Sequence, residues 1–529
     1  MNRLSRLLPV ALCLFLSVTS MSGQDNSSYI LTPKAPDTPR IGGAKIYGER
    51  PGADFLFKIA ATGIRPMTFS AEGLPAGLEL DRNTGIITGT VREAGEYTVT
   101  LTARNALGAD SRSLKIVIGN DIVLTPPMGW NSWNVWGNTV SQEKVISSAR
   151  ALLDKGLDQY GWTYINIDDG WQGIRGGRYN AIQPNSKFPD MKGLGEWLHA
   201  NGLKFGIYSG PWITTYASHI GSSCDNEDGT YPWIKEGKAN EYYRLEENPH
   251  SLYQHGKYSF ARQDARQWAD WGVDYLKYDW DPNDYYELKL MHDALRETGR
   301  DIVYSISNSA PITLAAPLME MAQCWRTTGD IDDSWFKLYR NGFTGLDNWA
   351  GLKRPGHWPD GDMLVVGKVG WGPETHPTNL TPDEQYTHIS LWALMACPLL
   401  LGCDLAELDD FTLSLLCNHE VIEVNQDPLG IQCIKVYADP YCTIYMKPME
   451  DGSLAFGMFN LSEEVQKIGL AHRFLKIQGE QTVRDLWRQE DVGVLSPNGR
   501  WETEVAPHGV ALVKLSPGWK CGTLVGYTR

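Results

Sequence analysis

The sequence predicts a multidomain chain built around an α/β (β/α)8 TIM barrel. An N-terminal immunoglobulin-like β-sandwich and a C-terminal antiparallel β-sandwich are expected to flank it. Three observations carry this expectation. The chain has 529 residues, more than one core usually holds. Residues 41–119 are short alternating strands split by Gly, Pro and Asn turns. From Leu124 strand-like and helix-like periods alternate, until strand-like segments alone remain after about residue 408.

Residues 1–23 read as a secretory signal. Arg3 and Arg6 supply the positive start, LLPVALCLFLSV the apolar run, and the small residues near Ser20 and Ser22 a cleavage site. The expected mature protein is exported, to a periplasm or out of the cell. Residues 24–40 are polar and read as a linker. FLFKIAATG, GIITGTV, GEYTVTLTARNALG and SLKIVIG then give the strands of an immunoglobulin-like module over 41–119, best read as a spacer.

The barrel is expected over 120–408. PMGWNSW (127–133) is strand-like. SQEKVISSARALLDKG (141–156) is an amphipathic helix capped by Ser141 and ended by Gly156. Further strands are read at YINIDD (164–169), LKFGIYS (203–209), VDYLKYD (273–279), DIVYSIS (301–307), AQCWRTTGD (322–330), DMLVVG (362–367) and CPLLLG (397–402). No Gly-x-Gly-x-x-Gly turn follows a strand, which disfavours a dinucleotide fold. IQCIKVYA, CTIYMKP, SLAFGMFN, TVRDLW and GVALVKLS alternate as the strands of the last domain, 409–529.

The composition narrows the function. The net charge of -15 argues against nucleic acid or an anionic membrane surface as partner, and favours a neutral substrate. Twenty Trp and 24 Tyr suit a sugar site, although most such rings fill cores. No C-x-x-C pair exists, and DNEDG (225–229) and DWDPND (279–284) do not complete a calcium loop, so no metal or cofactor is expected. Cys433 and Cys442 flank ADP (438–440), a position that suits a hairpin disulfide in an oxidising compartment.

The chemistry collects at strand ends. Trp130 lies on the first barrel strand, Asp168 and Asp169 end the second, Tyr208 the third, and Lys277 and Asp279 the fourth. Ser307 and Asn308 end the fifth, Arg326 and Asp330 the sixth, and Asp362 starts the seventh as read here. One Asp at a strand end is usually a turn or cap residue. Several around one barrel mark its C-terminal face, where barrel enzymes build their sites. On the fourth strand Tyr275, Lys277 and Asp279 share a face, which demands either a buried ion pair or a site. Carboxylates without His, Cys or metal ligands point to glycoside hydrolysis by a carboxylate pair.

LTPPMGWNSWN, YINIDDGW, LKFGIYS, DYLKYDW, CWRTTGDIDDSW, GHWPDGDML and NQDPLG together resemble glycoside hydrolase family 27, the α-galactosidase and α-N-acetylgalactosaminidase family, over about 124–517. GLPAGLELDRNTGIITGTVREAGEYTVTLTA resembles the Ig-like modules found beside sugar-processing domains. The family resemblance implies a retaining enzyme with Asp279 as nucleophile and Asp330 as acid/base, and with Asp332 and Asp333 as bystanders. It implies that Asp168 and Asp169 bind the 4- and 6-hydroxyls of a terminal α-galactosyl unit. Trp130 packs on the sugar's apolar edge in this reading, Tyr208 lines the pocket, and Lys277 and Arg326 bind hydroxyls or carboxylates, with Lys277 keeping Asp279 ionised. Ser307, Asn308 and Asp362 complete the candidate set.

Three departures stand out. Gly170 and Trp280 take positions where many members carry Cys. The segment 210–257 after the third strand is long, and its Trp212, Trp233 and tyrosines suit either an aglycone site or a packed lid. SISNSA (305–310) stands where Ser-Leu-Cys-Glu-Trp is common, so Asn308 replaces a reader of the sugar's C2 substituent. α-N-acetylgalactosaminidase and β-L-arabinopyranosidase activities are the alternatives within the family, and a non-catalytic galactose-binding lectin the alternative outside it.

Overall fold

The structure, a computed structural model, describes residues 25–231 and 253–517. The expected signal segment and Trp233 lie outside these residues.

The immunoglobulin-like module packs two sheets. One orders the strands 46–49, 108–118, 95–105 and 68–72, and the other 55–58, 86–89 and 78–80. Val99, Leu101, Leu114 and Ile116 alternate with exposed residues and fill the space between the sheets. The module is docked on the barrel, not spaced from it. Arg50 pairs with Asp301, Lys58 with Asp158 at 2.7 Å and Arg300 with Asp54 at 3.1 Å, while Lys204 Nζ donates to the Tyr47 hydroxyl at 2.8 Å. These barrel residues precede or begin strands, so the module covers the N-terminal face.

The stretch read as a linker is also anchored. Ile30 and Leu31 pack against the barrel core, and the Tyr386 hydroxyl donates to Tyr29 O at 2.7 Å and accepts from Leu31 N at 3.1 Å. Two apolar side chains in a polar run suffice to hold it.

The barrel strands are β1 (Met128–Asn131), β2 (Tyr164–Asn166), β3 (Lys204–Ser209), β4 (Tyr275–Asp279), β5 (Val303–Ser307), β6 (Cys324–Arg326), β7 (Trp358–Asp360) and β8 (Leu399–Leu401). They form one parallel ladder in the order β7-β6-β5-β4-β3-β2-β1-β8. Leu364, just past β7, closes the ring by a parallel bridge to Leu401, with its N–H donating to Leu400 O at 2.8 Å. The seventh strand therefore lies at 358–360 and not at 362–367. The apolar run DMLVVG is core filling, with Val365 and Val366 fully buried.

The main intervening helices are α1 (Gln142–Asp154), α2 (Met191–Ala200), α3 (Ala261–Asp270), α4 (Tyr285–Glu297), α5 (Ala315–Met321), α6 (Trp335–Tyr339) and α7 (Pro382–Leu394). Ser141 Oγ accepts from Lys144 N at the start of α1, and Gly156 takes a left-handed φ of 73° beyond its end. Thr381 and Glu384 form a reciprocal capping box on α7. Two short helices, Asp410–Leu416 and His419–Asn425, follow β8, so the strand-only region begins at Ile434.

The C-terminal domain pairs a six-stranded antiparallel sheet with a two-stranded one, 466–471 with 500–505. Cys433 and Cys442 are both free. The hairpin register explains why: Ile434 faces Met446 at the open end, while Ala438 faces Thr443 at the turn. The two thiols thus sit at opposite ends of a strand roughly 15 Å long, beyond any disulfide. Among the described residues no helix is long and apolar enough to cross a membrane, and no His, Cys, Asp or Glu cluster could hold a metal.

Candidate active site

Strand alternation sorts β4. Leu276 and Tyr278 enter the core between strands and helices, while Tyr275 enters the barrel interior. Lys277 and Asp279 share the Tyr275 face and rise toward the C-terminal mouth. Lys277 Nζ donates to Asp168 Oδ2 at 2.8 Å, and Asn131 Nδ2 joins the same oxygen at 2.9 Å. Asp168 Oδ1 accepts from Asp169 N at 2.9 Å. The lysine's direct partner is thus Asp168 and not Asp279.

Asp279 is held by neutral donors. The Tyr208 hydroxyl donates to Oδ2 at 2.9 Å, and Asn308 Nδ2 to Oδ1 at 2.5 Å. Asn308 reaches it from a left-handed φ of 66°, and its Nδ2 also donates to the Tyr216 hydroxyl at 3.2 Å. Burial pushes the Asp279 carboxyl up to about 6, although the nearby Lys277 ammonium pulls it down. Expecting the lysine to dominate underestimates the desolvation of a carboxylate inside the barrel.

Asp330 lies past β6 with its side chain 72% exposed, open to incoming water. Arg326 approaches its Oδ1 at 3.4 Å, and Lys337 Nζ donates to its backbone O at 2.8 Å. Desolvation by the surrounding mouth works to raise it, but the Arg326 and Lys277 charges outweigh that and hold Asp330 below the ordinary carboxylate range. Its two acidic neighbours are engaged elsewhere. Asp332 Oδ1 accepts from Ser334 N at 3.1 Å, and Asp333 Oδ2 from Asn379 N at 2.7 Å.

The other candidates separate by position. Asp169 faces the segment after β3: Thr215 Oγ1 donates to Oδ1 at 2.9 Å and Ala217 N to Oδ2 at 2.8 Å. Burial pushes its carboxyl up to about 7. Asp362 sits just beyond β7, not at a strand start. It pairs with Arg326 at 2.9 Å and accepts from Ile331 N at 2.7 Å, so it braces the arginine and the Asp330 loop from below. Ser307 lines a small interior cavity with Asn131, Lys277, Arg326 and Asp360.

Trp130 is a correction. It is fully buried in the outer core, with its indole N–H donating to Cys403 O at 2.8 Å, and cannot touch a sugar in the mouth. The alternation of β1 puts Asn131 inward and Trp130 outward. Trp133 is instead the half-buried ring that packs on the barrel-interior cluster.

Sequence reasoning passed over Asn131, Thr215 and Asp360, and took Tyr216 only as one of the tyrosines of the segment after β3. Alternation around Trp130 marks Asn131. Nothing local marks Thr215, and the contact of Tyr216 with Asn308 depends on how the segment after β3 folds back.

Comparisons with known proteins agree with this architecture. The profile described as Alpha galactosidase A matches residues 125–231 and 247–427. An Ig domain profile matches 38–119, and the profile of the Alpha galactosidase C-terminal beta sandwich domain matches 439–515. The chain is 33% identical over 418 residues to Alpha-galactosidase A of Cellvibrio japonicus, covering 74% of this chain and 92% of that one. A crystal structure from Bacteroides fragilis, described as an alpha-galactosidase/melibiase, superposes with a TM-score of 0.79 at 33% identity over 91% of this chain and 98% of that one. A β-L-arabinopyranosidase from Geobacillus stearothermophilus superposes with a TM-score of 0.63 at 30% identity, over 75% of this chain and 98% of that one. With over half its length matched by one family profile and the strand-end carboxylates in place, the chain belongs to the α-galactosidase family of glycoside hydrolases, family 27.

Proposed function

We propose that the protein is an exo-acting, retaining α-galactosidase that releases terminal α-D-galactose from oligosaccharides or glycans. One observation carries the reading: a half-buried carboxylate gripped through both oxygens, Asp279, shares the barrel mouth with a solvent-exposed one, Asp330. Asp279 attacks the anomeric carbon as the bond to the leaving oxygen breaks, and that oxygen takes the proton of Asp330. Asp330 then removes a proton from water, which attacks the same carbon and restores the Asp279 carboxylate.

The grip of Tyr208 and Asn308 aims the nucleophile, and neither donor adds a charge that would oppose the cationic transition state. A sugar seated beside Asp330 displaces water that now favours its ionised form. That raises its pKa toward what an acid needs. Asp168, fixed by Lys277 and Asn131, presents acceptor lone pairs to sugar hydroxyls. Asp169 and the segment after β3 wall the same side.

The test is hydrolysis of three aryl glycosides side by side: α-D-galactopyranoside, α-N-acetylgalactosaminide and β-L-arabinopyranoside. Dominant release from the first is expected. Dominant release from either other sugar would overturn the galactose reading and leave the chemistry standing. Export through residues 1–23 belongs to the same proposal, and its check is cleavage of that segment in the mature protein.

A further inference from the structure

The segment after β3 carries three aromatic rings that meet as a triangle. Trp212 and Tyr216 lie 5.3 Å apart by ring centroids, Trp212 and Tyr253 5.4 Å, and Tyr216 and Tyr253 5.3 Å. Their environments differ. Trp212 is buried and backs the other two, Tyr216 is half-buried, and Tyr253 is 41% exposed. The cluster presents its outer ring to solvent beside the Asp279 carboxylate.

The triangle is joined to the reacting groups. The Tyr216 hydroxyl accepts from Asn308 Nδ2, the same nitrogen that donates to Asp279. Burial, with the charges of Asp279, Asp281 and Asp330 added, holds the Tyr216 phenol above its ordinary range, and the shared Asn308 amide places its hydroxyl beside the nucleophile. The leaving oxygen must lie on the Asp330 side, and the next residue of the substrate extends outward from there. The platform is also fixed in place. Thr215 Oγ1 both donates to Asp169 and accepts from His219 N at 3.0 Å, and the Tyr253 hydroxyl donates to Tyr216 O at 3.2 Å.

We propose that Tyr253 and Tyr216, backed by Trp212, form the subsite for the residue to which the terminal sugar is attached, and that this residue is a pyranose stacked on the Tyr253 ring. The inference rests on the glycosidase reading above and adds its aglycone. Pyranose rings present an apolar face of axial C–H bonds, and a solvent-exposed aromatic ring suits that face. Binding energy gained there can be expressed at the reacting bond.

The experiment compares kcat/KM for an α-1,6-galactosyl-glucose disaccharide with kcat/KM for α-galactosyl fluoride, whose leaving group is too small to reach the platform. In Tyr253→Ala the disaccharide-to-fluoride ratio is expected to fall about three- to tenfold. Tyr253→Phe keeps the ring and should retain most of the ratio. An unchanged ratio in Tyr253→Ala, or an equal fall in Tyr253→Phe, overturns the stacking subsite while fluoride hydrolysis leaves the glycosidase reading intact. If the native protein cleaves neither substrate, the proposed function falls and the subsite with it.

Discussion

Lys277 and Asp279 share one face of β4, yet the lysine's ion pair runs to Asp168, at 2.8 Å. The carboxylate proposed to attack the sugar is left to hydroxyl and amide donors. Replacing it by its neutral isostere then has two separable effects. In Asp279→Asn, kcat/KM on an aryl α-galactoside should drop on the order of 10⁴-fold, because the covalent step has no nucleophile. Retained activity would assign the nucleophile elsewhere.

The same variant should change how stability depends on pH. Burial raises the Asp279 carboxyl to about 6 in the folded protein, against an ordinary 3.8. Its favourable share is present below the unfolded pKa and is lost as pH rises through the folded one, so between about 4 and 6 the native protein pays for ionisation. Asp279→Asn carries no such loss. It should be more stable than the native protein at pH 8, by up to about 3 kcal/mol and hence with a higher melting temperature, the gap closing toward pH 4. Thermal melts across that range decide it.

Asn308 donates to the ionised form of Asp279, so removing it should favour the protonated form. In Asn308→Ala the acidic limb of the kcat/KM profile, expected near the Asp279 value of about 6, should move to higher pH. A loss of rate with an unmoved limb would make the amide a sugar contact only.

Thr215→Val removes the hydroxyl that ties the segment after β3 to Asp169. A lost hydrogen bond to a buried carboxylate costs about 1.5 to 3 kcal/mol locally, which should raise KM for galactosides about tenfold. Steady-state kinetics at saturating and limiting substrate separate that from a change in kcat.

Arg50 and Asp301 join the immunoglobulin-like module to the barrel floor with both side chains mostly buried. Arg50→Ala leaves the aspartate without its charge partner and should cost about 3 kcal/mol, read as a lower midpoint in urea. KM should hold at its native value, because the pair lies at the opposite face from the mouth.

Much of this was legible from residues alone. Period-two alternation in YLKYD put Lys277 and Asp279 on the inner face, and the Ser141 cap and Gly156 fixed the ends of α1. What failed did so where local pattern competes with tertiary packing. DMLVVG looks like a strand because it is apolar, but the ladder position belongs to the polar-ended Trp358–Asp360, and Asp362 shifts from a strand start to a brace. Trp130 was misplaced by one step of alternation, which turns a side chain to the opposite surface. The paired look of Cys433 and Cys442 came from sequence proximity, which the hairpin register undoes. The Thr215 and Ala217 grip on Asp169 spans more than 40 residues, and no periodicity encodes it.

The immunoglobulin-like module seats on strand beginnings, while the proposed sugar contacts all hang from strand ends. Bracing and recognition are therefore written in different parts of the chain. The contacts at the base of the barrel involve none of the residues proposed to meet the sugar, so a change at the mouth leaves the Arg50–Asp301 and Lys58–Asp158 pairs untouched. The molecule separates a durable chassis from the readers on its open side.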